Sequence, residues 1–527
     1  MSAIEKIEYD FSAVLLAIAD CVGNENLIRD QLERDYYSQD YYRKGLTALA
    51  VVKPQTVETL AKSVQLAIEA GLAVFPRGGG LSYSDGYLPT TSDGIIVDTA
   101  AINRIVEINQ QDMYVTVETG CTWAALEEAL SKTDVRPGFW GTLSGLGATI
   151  GGTISQGGAS LGSAKFGTSS ESVLAVDVVT ADGSIVSTGS AGQVNKSPFF
   201  RNYGPDMTGL FCADCGALGI KARVTLRLER RRKMVYGLSF GYESFEKMLQ
   251  GLAAVAQEGR ATEHLSFSAE TMANFGELSF TKTLKTAYRV ATASYSWLSG
   301  LIQVVKMGLA GSRFLDKAKF MSHCVLEAAN QKELDGQIAR IREVVEPFGF
   351  DLPNTVPTII RAAPFAEPNV MSPLGQRLLP IHTLLPLSKV MSFHNSMLDY
   401  LAKNKALMDE HGITQQPILG TMGTNAFLYE PVFYWTDKAE EFHKRNTSLD
   451  ILAKAANAID NPETRKVLEK MRLEVVELMH QSGGVHMQIG KMYPFMQDRQ
   501  TASTDLIKVL KQHLDPKGLI NPGALGL

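Results

Sequence analysis

The fold is decided by the stretch Pro76-Arg77-Gly78-Gly79-Gly80-Leu81-Ser82-Tyr83. It directly follows a short apolar run, Ala73 to Phe75, so the glycines stand at the end of a predicted strand. Three consecutive glycines allow backbone N–H groups to turn onto an anion such as a pyrophosphate. The stretch matches neither the Walker A pattern nor the dinucleotide fingerprint that opens a helix. It predicts a phosphate-binding loop of another kind, and a plain turn is the alternative.

The segments on either side of this loop predict a mixed domain. Ala48 to Val52 is an apolar run, Thr56 to Ala70 has helical periodicity, and Ala73 to Phe75 is a second strand. Beyond the loop, strands are predicted at Gly94 to Asp98, Arg104 to Asn109 and Tyr114 to Glu118, and a helix at Trp123 to Leu130. These patterns together indicate an α+β fold.

Glycine dominates the next stretch, from Gly141 to Gly167, which predicts a loop-rich backbone running close to a ligand. Two strands, Val173 to Thr180 and Ser184 to Ser187, are joined by Ala181-Asp182-Gly183, which is a hairpin signal. A further strand is predicted from Ile220 to Leu228.

Composition limits the classes of partner. The chain has 527 residues, enough for two or three domains, and a net charge of -5 that disfavours nucleic acid. Its five cysteines are scattered, the N-terminus lacks a secretory apolar region, and Trp297 to Leu309 is too short to span a bilayer. We therefore expect a cytoplasmic protein without a transmembrane segment, acting on a small molecule, and a homo-oligomer is compatible with these data.

Four motifs in order carry a resemblance to a known family. The first is the Pro76 loop, and the second is Thr149-Ile150-Gly151-Gly152-Thr153-Ile154-Ser155-Gln156-Gly157-Gly158 followed by Lys165-Phe166-Gly167-Thr168. The third is Asp214-Cys215-Gly216-Ala217-Leu218-Gly219-Ile220, and the fourth is the terminal Leu514-Asp515-Pro516-Lys517-Gly518-Leu519-Ile520-Asn521-Pro522-Gly523. Together they resemble the FAD domain of the vanillyl-alcohol oxidase and p-cresol methylhydroxylase (PCMH) flavoproteins.

The resemblance implies an α+β architecture with a two-part PCMH-type FAD-binding domain and an α+β substrate cap. It implies a helical lead-in over residues 1–44, an FAD-binding domain over 45–235, a cap over 236–479, and a C-terminal segment, 480–527, that completes the FAD domain and the active site. The implied cofactor is FAD. The residues expected to bind it are Pro76, Arg77, Gly78, Gly79, Gly80, Leu81, Ser82, Tyr83, Thr149, Gly151, Gly152, Ser155, Gly158, Gly219, Ile220 and Asn521.

Candidate catalytic residues follow from the same frame. His486 stands where phenol-oxidising members of the family have a phenolate-binding pair, and a histidine can share the substrate's proton. His382, Gln488 and Tyr493 are further candidates, and Tyr83 is another. The alternative for His486 is a core histidine on a strand. No metal is expected, because the Gly-Asp-Gly-Asn-x-x-His segment of metal-dependent relatives is missing.

Two covalent possibilities arise from the family. Leu81 occupies the position at which some members carry a flavin-linking histidine, so that link is excluded, and Tyr429 or Tyr434 would be needed for a tyrosyl link in the cap. Cys212 and Cys215 have the spacing of a redox dithiol, although buried structural cysteines are the favoured interpretation.

The sequence thus predicts an FAD enzyme that oxidises a hydroxyl-bearing, aromatic small molecule and passes electrons to O2 or another acceptor. The small residue Gly158, at the position that controls O2 access in the family, favours an oxidase. One alternative is a D-2-hydroxy-acid or sugar-acid dehydrogenase using a cytochrome or quinone. Another is a flavin-binding paralogue without turnover.

Overall fold

The computed structural model describes residues 11–268, 318–365 and 370–527. The apolar stretch Trp297 to Leu309 and the first ten residues of the predicted helical lead-in lie outside these residues. In the described part of the chain, helices and three β-sheets form a mixed α+β structure, as the sequence predicts. Within the same residues, no helix has the length and apolar character needed to cross a membrane.

The first sheet has the strand order β1-β2-β4-β3 and holds the glycine loop at one end. Its strands are β1 Leu27–Ile28, β2 Ala50–Val52, β3 Ala73–Arg77 and β4 Gly94–Asp98. Strands β2, β4 and β3 are parallel, which requires a crossover, and the helix Val57–Glu69 supplies it. The predicted strand, helix and strand are thereby confirmed.

The crossover helix shows how the sequence sets this unit. Thr56 caps it, because its hydroxyl accepts the N–H of Thr59 at 3.2 Å while the Thr59 hydroxyl accepts the N–H of Thr56 at 3.1 Å. Its apolar residues recur at helical spacing and are buried. The helices Ser12–Val22 and Gln31–Tyr37 precede this unit.

The second sheet is antiparallel, with the order β5-β6-β10-β8-β9, and β7 also pairs with β10. Its strands are β5 Ile105–Asn109, β6 Tyr114–Glu118, β7 Val135–Pro137, β8 Val173–Val179, β9 Ile185–Ser187 and β10 Ile220–Arg230. The predicted hairpin of β8 and β9 and the helix Trp123–Leu130 are confirmed. The prediction of a loop over residues 141–167 was wrong in part, because the helices Ile150–Gln156 and Ser163–Phe166 form there. The short helix Met207–Leu210 precedes β10.

The third sheet is the largest and is antiparallel, with the order β14-β11-β13-β12-β17-β18-β15 and β16 on β18. Its strands are β11 Met234–Tyr242, β12 Ala261–Ser268, β13 Phe320–Ala328, β14 Phe350–Leu352, β15 Gln376–Pro380, β16 Thr383–Pro386, β17 Thr414–Met422 and β18 Ala426–Thr436. Leu265, Gly420 and Leu428 are direct partners across three neighbouring strands, so they share one face of this sheet.

Helices cover much of the third sheet and form one apolar core with it. The helices that share this core are Phe245–Gln257, Gln331–Val345, Val390–Glu410 and Pro462–Gln481. The helix Thr355–Ala362 contacts β11 and β13 outside this core, and the short helices Glu441–Arg445 and Leu449–Lys454 are nearby. The domain boundaries at residues 45, 236 and 480 stay predictions.

The C-terminal segment returns to the first sheet. After the helix Thr501–Leu514, Ile520 bridges Val74 in parallel, and the N–H of Asn521 donates to the carbonyl of Val74 at 2.8 Å. Ile520 is fully buried in the same core as Val74 and Val97. The end of the chain therefore stabilises the strand that carries the glycine loop.

Candidate functional site

A cavity of about 850 Å³ lies between the glycine-rich segments and the third sheet. Such a volume is in the range of cofactor and ligand sites. Fifteen of the sixteen residues predicted to bind the cofactor line it, and Asn521 is the exception. The structure therefore brings together the first three family motifs, which together span about 140 residues of the chain. Of the predicted catalytic residues, Gln488 and Tyr83 line the same cavity.

The glycines of the first loop are needed for close backbone packing. A Cβ atom on Gly79 would lie 1.9 Å from the carbonyl oxygen of Gly147, which is a backbone atom that cannot swing aside. Gly80 has a φ of +72°, and a Cβ there would lie 2.1 Å from Nη2 of Arg77. Side chains at these two positions would collide with the second motif or displace the arginine below the loop.

Arg77 places a fixed positive charge beneath this loop. It is 5% exposed, and its guanidinium lies over the rings of Tyr36, Tyr37 and Tyr87 at 5.4, 4.7 and 5.5 Å. Its Nε and Nη2 atoms have no hydrogen-bond partner among the residues that the structure describes. A buried cation without a carboxylate ligand favours a neighbouring anion, and the diphosphate of FAD is one.

The second motif packs directly behind the loop. Thr149 caps the helix Ile150–Gln156 by accepting the N–H of Gly152 at 3.2 Å. A Cβ on Gly151 would lie 1.6 Å from Oγ1 of Thr119, so the glycine allows the helix to approach the second sheet. A glycine-rich backbone above the buried Arg77 allows a diphosphate to approach closely. These residues therefore fit FAD.

One end of the cavity is polar and contains a carboxylate that the sequence analysis missed. Glu430 is in β18, its side chain is 14% exposed, and it lines the cavity. The hydroxyl of Tyr83 donates to Oε1 of Glu430 at 3.1 Å, and Gln488 and Tyr41 line the cavity as well. Burial raises the pKa of Glu430 to about 7, only partly offset by the Tyr83 hydrogen bond. A carboxyl group with this pKa can hold or release a proton near neutral pH.

A signal for Glu430 is present in the sequence. The strand Ala426–Thr436 reads AFLYEPVFYWT, and Glu430 is its one charged residue. Phe427 and Tyr429 are buried in the core beneath the sheet, whereas Leu428 and Glu430 are on the alternate face. A charge on the alternating face of an otherwise apolar strand indicates a functional carboxylate.

His382, Tyr493 and His486 are not among the residues that line the cavity. Fully buried His382 is held by the Met487 carbonyl at 2.6 Å from its Nε2 and by the Tyr493 hydroxyl at 3.3 Å from its Nδ1. The ring of His486 stacks on Tyr493 at 4.1 Å, and its Nδ1 donates to the His382 carbonyl at 2.9 Å. The three side chains form a packed layer behind the cavity wall, so their catalytic role stays a prediction that their position does not support.

His382 nevertheless adjoins the polar end. Its Nδ1 lies 4.0 Å from Oε1 of Glu430, and burial lowers its pKa to about 3. Because Nε2 faces a carbonyl oxygen, Nε2 carries the proton and Nδ1 is left as an acceptor. A neutral histidine therefore flanks the carboxylate without providing a charge.

Asn521 lies behind the wall rather than on it. Its side-chain amide donates to the carbonyls of Gly86 and Cys215 at 2.8 and 2.7 Å, and its Oδ1 accepts Nζ of Lys491 at 2.7 Å. The residue ties the chain end to the loop that follows the first motif and to the third motif itself. It holds the cavity wall in place without lining it.

Of the residues considered for covalent chemistry, Cys212, Cys215 and Tyr429 are buried, and Tyr434 is half-buried. Cys212 and Cys215 are free thiols, and burial raises their pKa values to about 11 and about 12. Protonated buried thiols are poor nucleophiles, which favours the structural interpretation. Tyr429 bonds to Nδ1 of His394 at 2.9 Å in the core, and neither it nor Tyr434 lines the cavity. Among the described cavity-lining residues, His264 is the one histidine.

Comparisons with known proteins agree with this geometry. A family model described as an FAD binding domain matches residues 48–189. The D-lactate dehydrogenase [cytochrome] 1 of Saccharomyces cerevisiae is 30% identical over 185 residues, which are 35% of this chain and 30% of the yeast protein. A probable mitochondrial D-lactate dehydrogenase of Danio rerio is 26% identical over 290 residues, 54% of this chain and 55% of that protein. The chain thus spans about a third to a half of the length of these curated relatives.

Solved structures share the fold over nearly the whole chain. Substrate-bound p-cresol methylhydroxylase has a TM-score of 0.71 at 15% identity, with 98% of this chain and 97% of that chain covered. The 4-ethylphenol oxidase of Gulosibacter chungangensis has a TM-score of 0.67 at 15% identity and the same coverage. An alkyldihydroxyacetonephosphate synthase has a TM-score of 0.66 at 16% identity, covering 99% of this chain and 88% of its own.

The motifs, the glycine-lined cavity and the family match lead to one assignment. The chain contains an FAD binding domain at residues 48–189, its cofactor is FAD, and its fold is that of the PCMH-type FAD flavoproteins.

Proposed function

We propose that this protein is an FAD-dependent oxidoreductase that oxidises a hydroxyl-bearing, aromatic small molecule, with O2 or another compound as electron acceptor. The observation that carries the proposal is the hydrogen-bonded Glu430–Tyr83 pair at one end of a mainly apolar cavity wall. FAD supplies the hydride acceptor in such chemistry, and the chain must supply the proton acceptor and the substrate pocket.

Glu430 is the proposed proton acceptor. Its raised pKa, about 7, makes the carboxylate basic enough to take the substrate's hydroxyl proton at neutral pH. Tyr83 fixes one carboxylate oxygen by its hydrogen bond and leaves the other available. Gln488, the predicted catalytic residue that does line the cavity, has a φ of +48°, an uncommon conformation for a residue other than glycine. Its backbone N–H donates to the Gln156 carbonyl at 2.8 Å, which holds it there.

The rest of the wall on the side of the third sheet is mainly apolar, and its polar side chains are His264 and Thr421. Val356, Ile359 and Ile360 line it from the helix Thr355–Ala362, and Leu265, Ile418, Leu428, Leu378 and Pro380 line it from the sheet. Such a wall excludes water from the polar end and suits an aromatic ring. Gly158 lines the cavity on the opposite side, where its lack of a side chain supports the oxidase alternative within the proposal.

A second candidate is a D-2-hydroxy-acid dehydrogenase, because the curated relatives described above act on D-lactate by name. Its substrate carries a carboxylate, which is usually bound by a cation. Among the described residues, only two cationic side chains line the cavity, Arg77 and Lys221. Both lie on the side of the cavity formed by the glycine-rich segments. Lys221 is paired with the Asp214 carboxylate. This arrangement supports the uncharged aromatic alcohol over the hydroxy acid.

Anaerobic titration of the purified protein tests the proposal. Aromatic alcohols and 4-alkylphenols should bleach the flavin absorbance, whereas D-lactate and other D-2-hydroxy acids should not. Bleaching by hydroxy acids alone would assign the protein to the second candidate. A flavin that no compound of either class reduces would support a binding paralogue without turnover. Reoxidation of the bleached sample by air, or only by a quinone or cytochrome c, then identifies the acceptor class.

A further inference from the structure

The N-terminal segment Asp30 to Gly45 lies outside the part of the chain that matches the FAD binding domain, which starts at residue 48. Its sequence, rich in tyrosine and acidic residues, does not reveal a role. In the structure it begins with the helix Gln31–Tyr37 and continues as an irregular strap to Gly45. This strap contacts both walls of the cavity.

On one side the strap is fixed to the end of the glycine loop and to the residues that follow it. The N–H of Tyr41 donates to the carbonyl of Ser82 at 2.9 Å, and the N–H of Asp85 donates to Oδ2 of Asp40 at 3.0 Å. Arg43 donates to both carboxylate oxygens of Asp85 at 2.9 and 2.6 Å. A bidentate pair of this kind fixes orientation as well as distance.

On the other side the strap is fixed to the chain around the third sheet. The buried Arg377 donates from Nη2 to the carbonyl of Tyr42 at 2.7 Å, and the Tyr42 hydroxyl donates to Glu469 at 3.1 Å. The N–H of Phe442 donates to the Gln39 side chain at 3.3 Å. Tyr41, between these anchors, is therefore held rigidly.

Tyr41 lines the cavity next to the polar end. Its ring meets Tyr83 edge-on at 6.5 Å and Phe442 at 6.3 Å. No hydrogen bond joins its hydroxyl to any residue in the described ranges, and this oxygen is not among the polar atoms sealed inside the protein. Burial of the side chain raises the pKa of Tyr41, so the phenol stays neutral and can donate.

The geometry points to Tyr41 as a substrate-contacting residue that binds the oxygen of an aromatic ligand beside Glu430 and Tyr83. This inference rests on the proposed function and makes the N-terminal strap part of the active site. A free tyrosine hydroxyl held at the polar end of an apolar pocket discriminates ligands that carry an oxygen from those that lack one, because an unpaired polar group in such a pocket is unfavourable.

Two probe ligands test the inference without turnover. Phenol and fluorobenzene are similar in shape, and neither has an oxidisable carbon beside the ring. Binding of each is titrated through the flavin absorbance of the holoenzyme, for the native protein, Tyr41→Phe and Tyr36→Phe. The last variant is the matched control, because Tyr36 is in the helix that leads into the strap and is not among the cavity-lining residues. As phenylalanine it keeps its ring contacts to Arg77, Arg445 and Phe442.

Tyr41→Phe should bind phenol about three- to tenfold more weakly, the contribution of one neutral hydrogen bond, with unchanged fluorobenzene affinity, FAD content and melting temperature. Tyr36→Phe should match the native protein. Equal phenol affinity in Tyr41→Phe, a loss of FAD in that variant, or native protein that does not distinguish the two probes overturns the inference. These outcomes are independent of the flavin bleaching that tests the proposed function, so failure of one is distinguishable from failure of the other.

Discussion

The hydroxyl of Tyr83 donates a hydrogen bond to Oε1 of Glu430 over 3.1 Å, although 347 residues separate the two in the chain. Tyr83 belongs to the glycine loop, and Glu430 belongs to the third sheet. The proposed proton acceptor is therefore assembled only when both parts of the protein are packed together. This pairing makes Glu430 the first residue to test.

Glu430→Gln should retain FAD and slow the reduction of the flavin by substrate roughly a hundredfold to ten-thousandfold, the usual loss on removing a general base. In the native protein the rate should rise with pH and level off above about pH 7, because only the ionised carboxylate accepts a proton. The variant should lose this rise. Stopped-flow reduction between pH 5.5 and 8.5 measures both, and a variant that reduces at the native rate removes Glu430 from the mechanism.

The same pKa predicts an opposite trend in stability. The folded protein holds the Glu430 proton up to about pH 7, whereas the unfolded chain releases it near the ordinary glutamate pKa of 4.5. The contribution of this residue to stability is therefore present below pH 4.5 and falls as the pH rises to about 7. Thermal melts should show that the melting temperature of Glu430→Gln rises relative to that of the native protein between pH 5 and pH 8. A constant difference over this range contradicts the assignment of the raised pKa.

The glycine loop allows a matched comparison of two substitutions. Gly80→Ala and Gly71→Ala each force a side chain into a positive φ, +72° and +83°, at a cost of roughly 1 kcal/mol. A Cβ on Gly71 meets nothing within 4 Å, whereas one on Gly80 displaces Arg77. We expect both variants to lose similar stability but only Gly80→Ala to lose FAD. If the purified Gly80→Ala protein keeps a full flavin-to-protein ratio, the loop is a plain turn.

The features that the sequence predicts are those set by contacts between residues close together in the chain. The strand, helix and strand around residues 48–77 and the hairpin of β8 and β9 follow from local periodicity and turn residues, and the sequence predicts them. The glycines were identified because close backbone approach requires them. Glu430 and Tyr41 meet Tyr83 only through the packing of the third sheet and the N-terminal strap, which no local pattern encodes. The motif around His486 predicts an active-site role, but the stacking of its ring on Tyr493, behind the cavity wall, depends on tertiary packing that the motif does not encode.

The flavin should be released when the protein is precipitated with acid. Leu81 lines the cavity at the position where a histidyl link would form near the loop, and a leucine cannot form one. His264 is the residue to replace if the flavin stays with the pellet, since its Nδ1 bonds to Thr421 at 2.9 Å and its Nε2 has no partner in the described structure. The flavin absorbance of the supernatant and of the pellet after precipitation shows whether the flavin is released or covalently attached. Retention in the native protein and release from His264→Ala would show a histidyl link from the cap.

His486 should matter for folding more than for chemistry, contrary to the hypothesis drawn from its motif. Its ring stacks on Tyr493 at 4.1 Å, its Nδ1 donates to the His382 carbonyl at 2.9 Å, and burial lowers its pKa to about 4. His486→Ala should therefore reduce the free energy of unfolding by about 1–3 kcal/mol, while flavin reduction per folded molecule stays near the native rate.

The pH dependence separates this expectation from a general loss of packing. A histidine whose pKa falls from 6.5 in the unfolded chain to about 4 in the folded protein stabilises fully above pH 6.5, and its contribution declines as the pH falls towards 4. The stability difference between the native protein and His486→Ala should accordingly shrink over that range. His480→Ala is the control, because His480 is on the neighbouring helix end and pairs with the exposed Asp498 at 2.9 Å. A thermal melt and a stopped-flow experiment on one sample measure the stability and the rate of flavin reduction. If His486→Ala has native stability but reduces its flavin about a hundredfold more slowly, His486 has the catalytic role that its motif suggests.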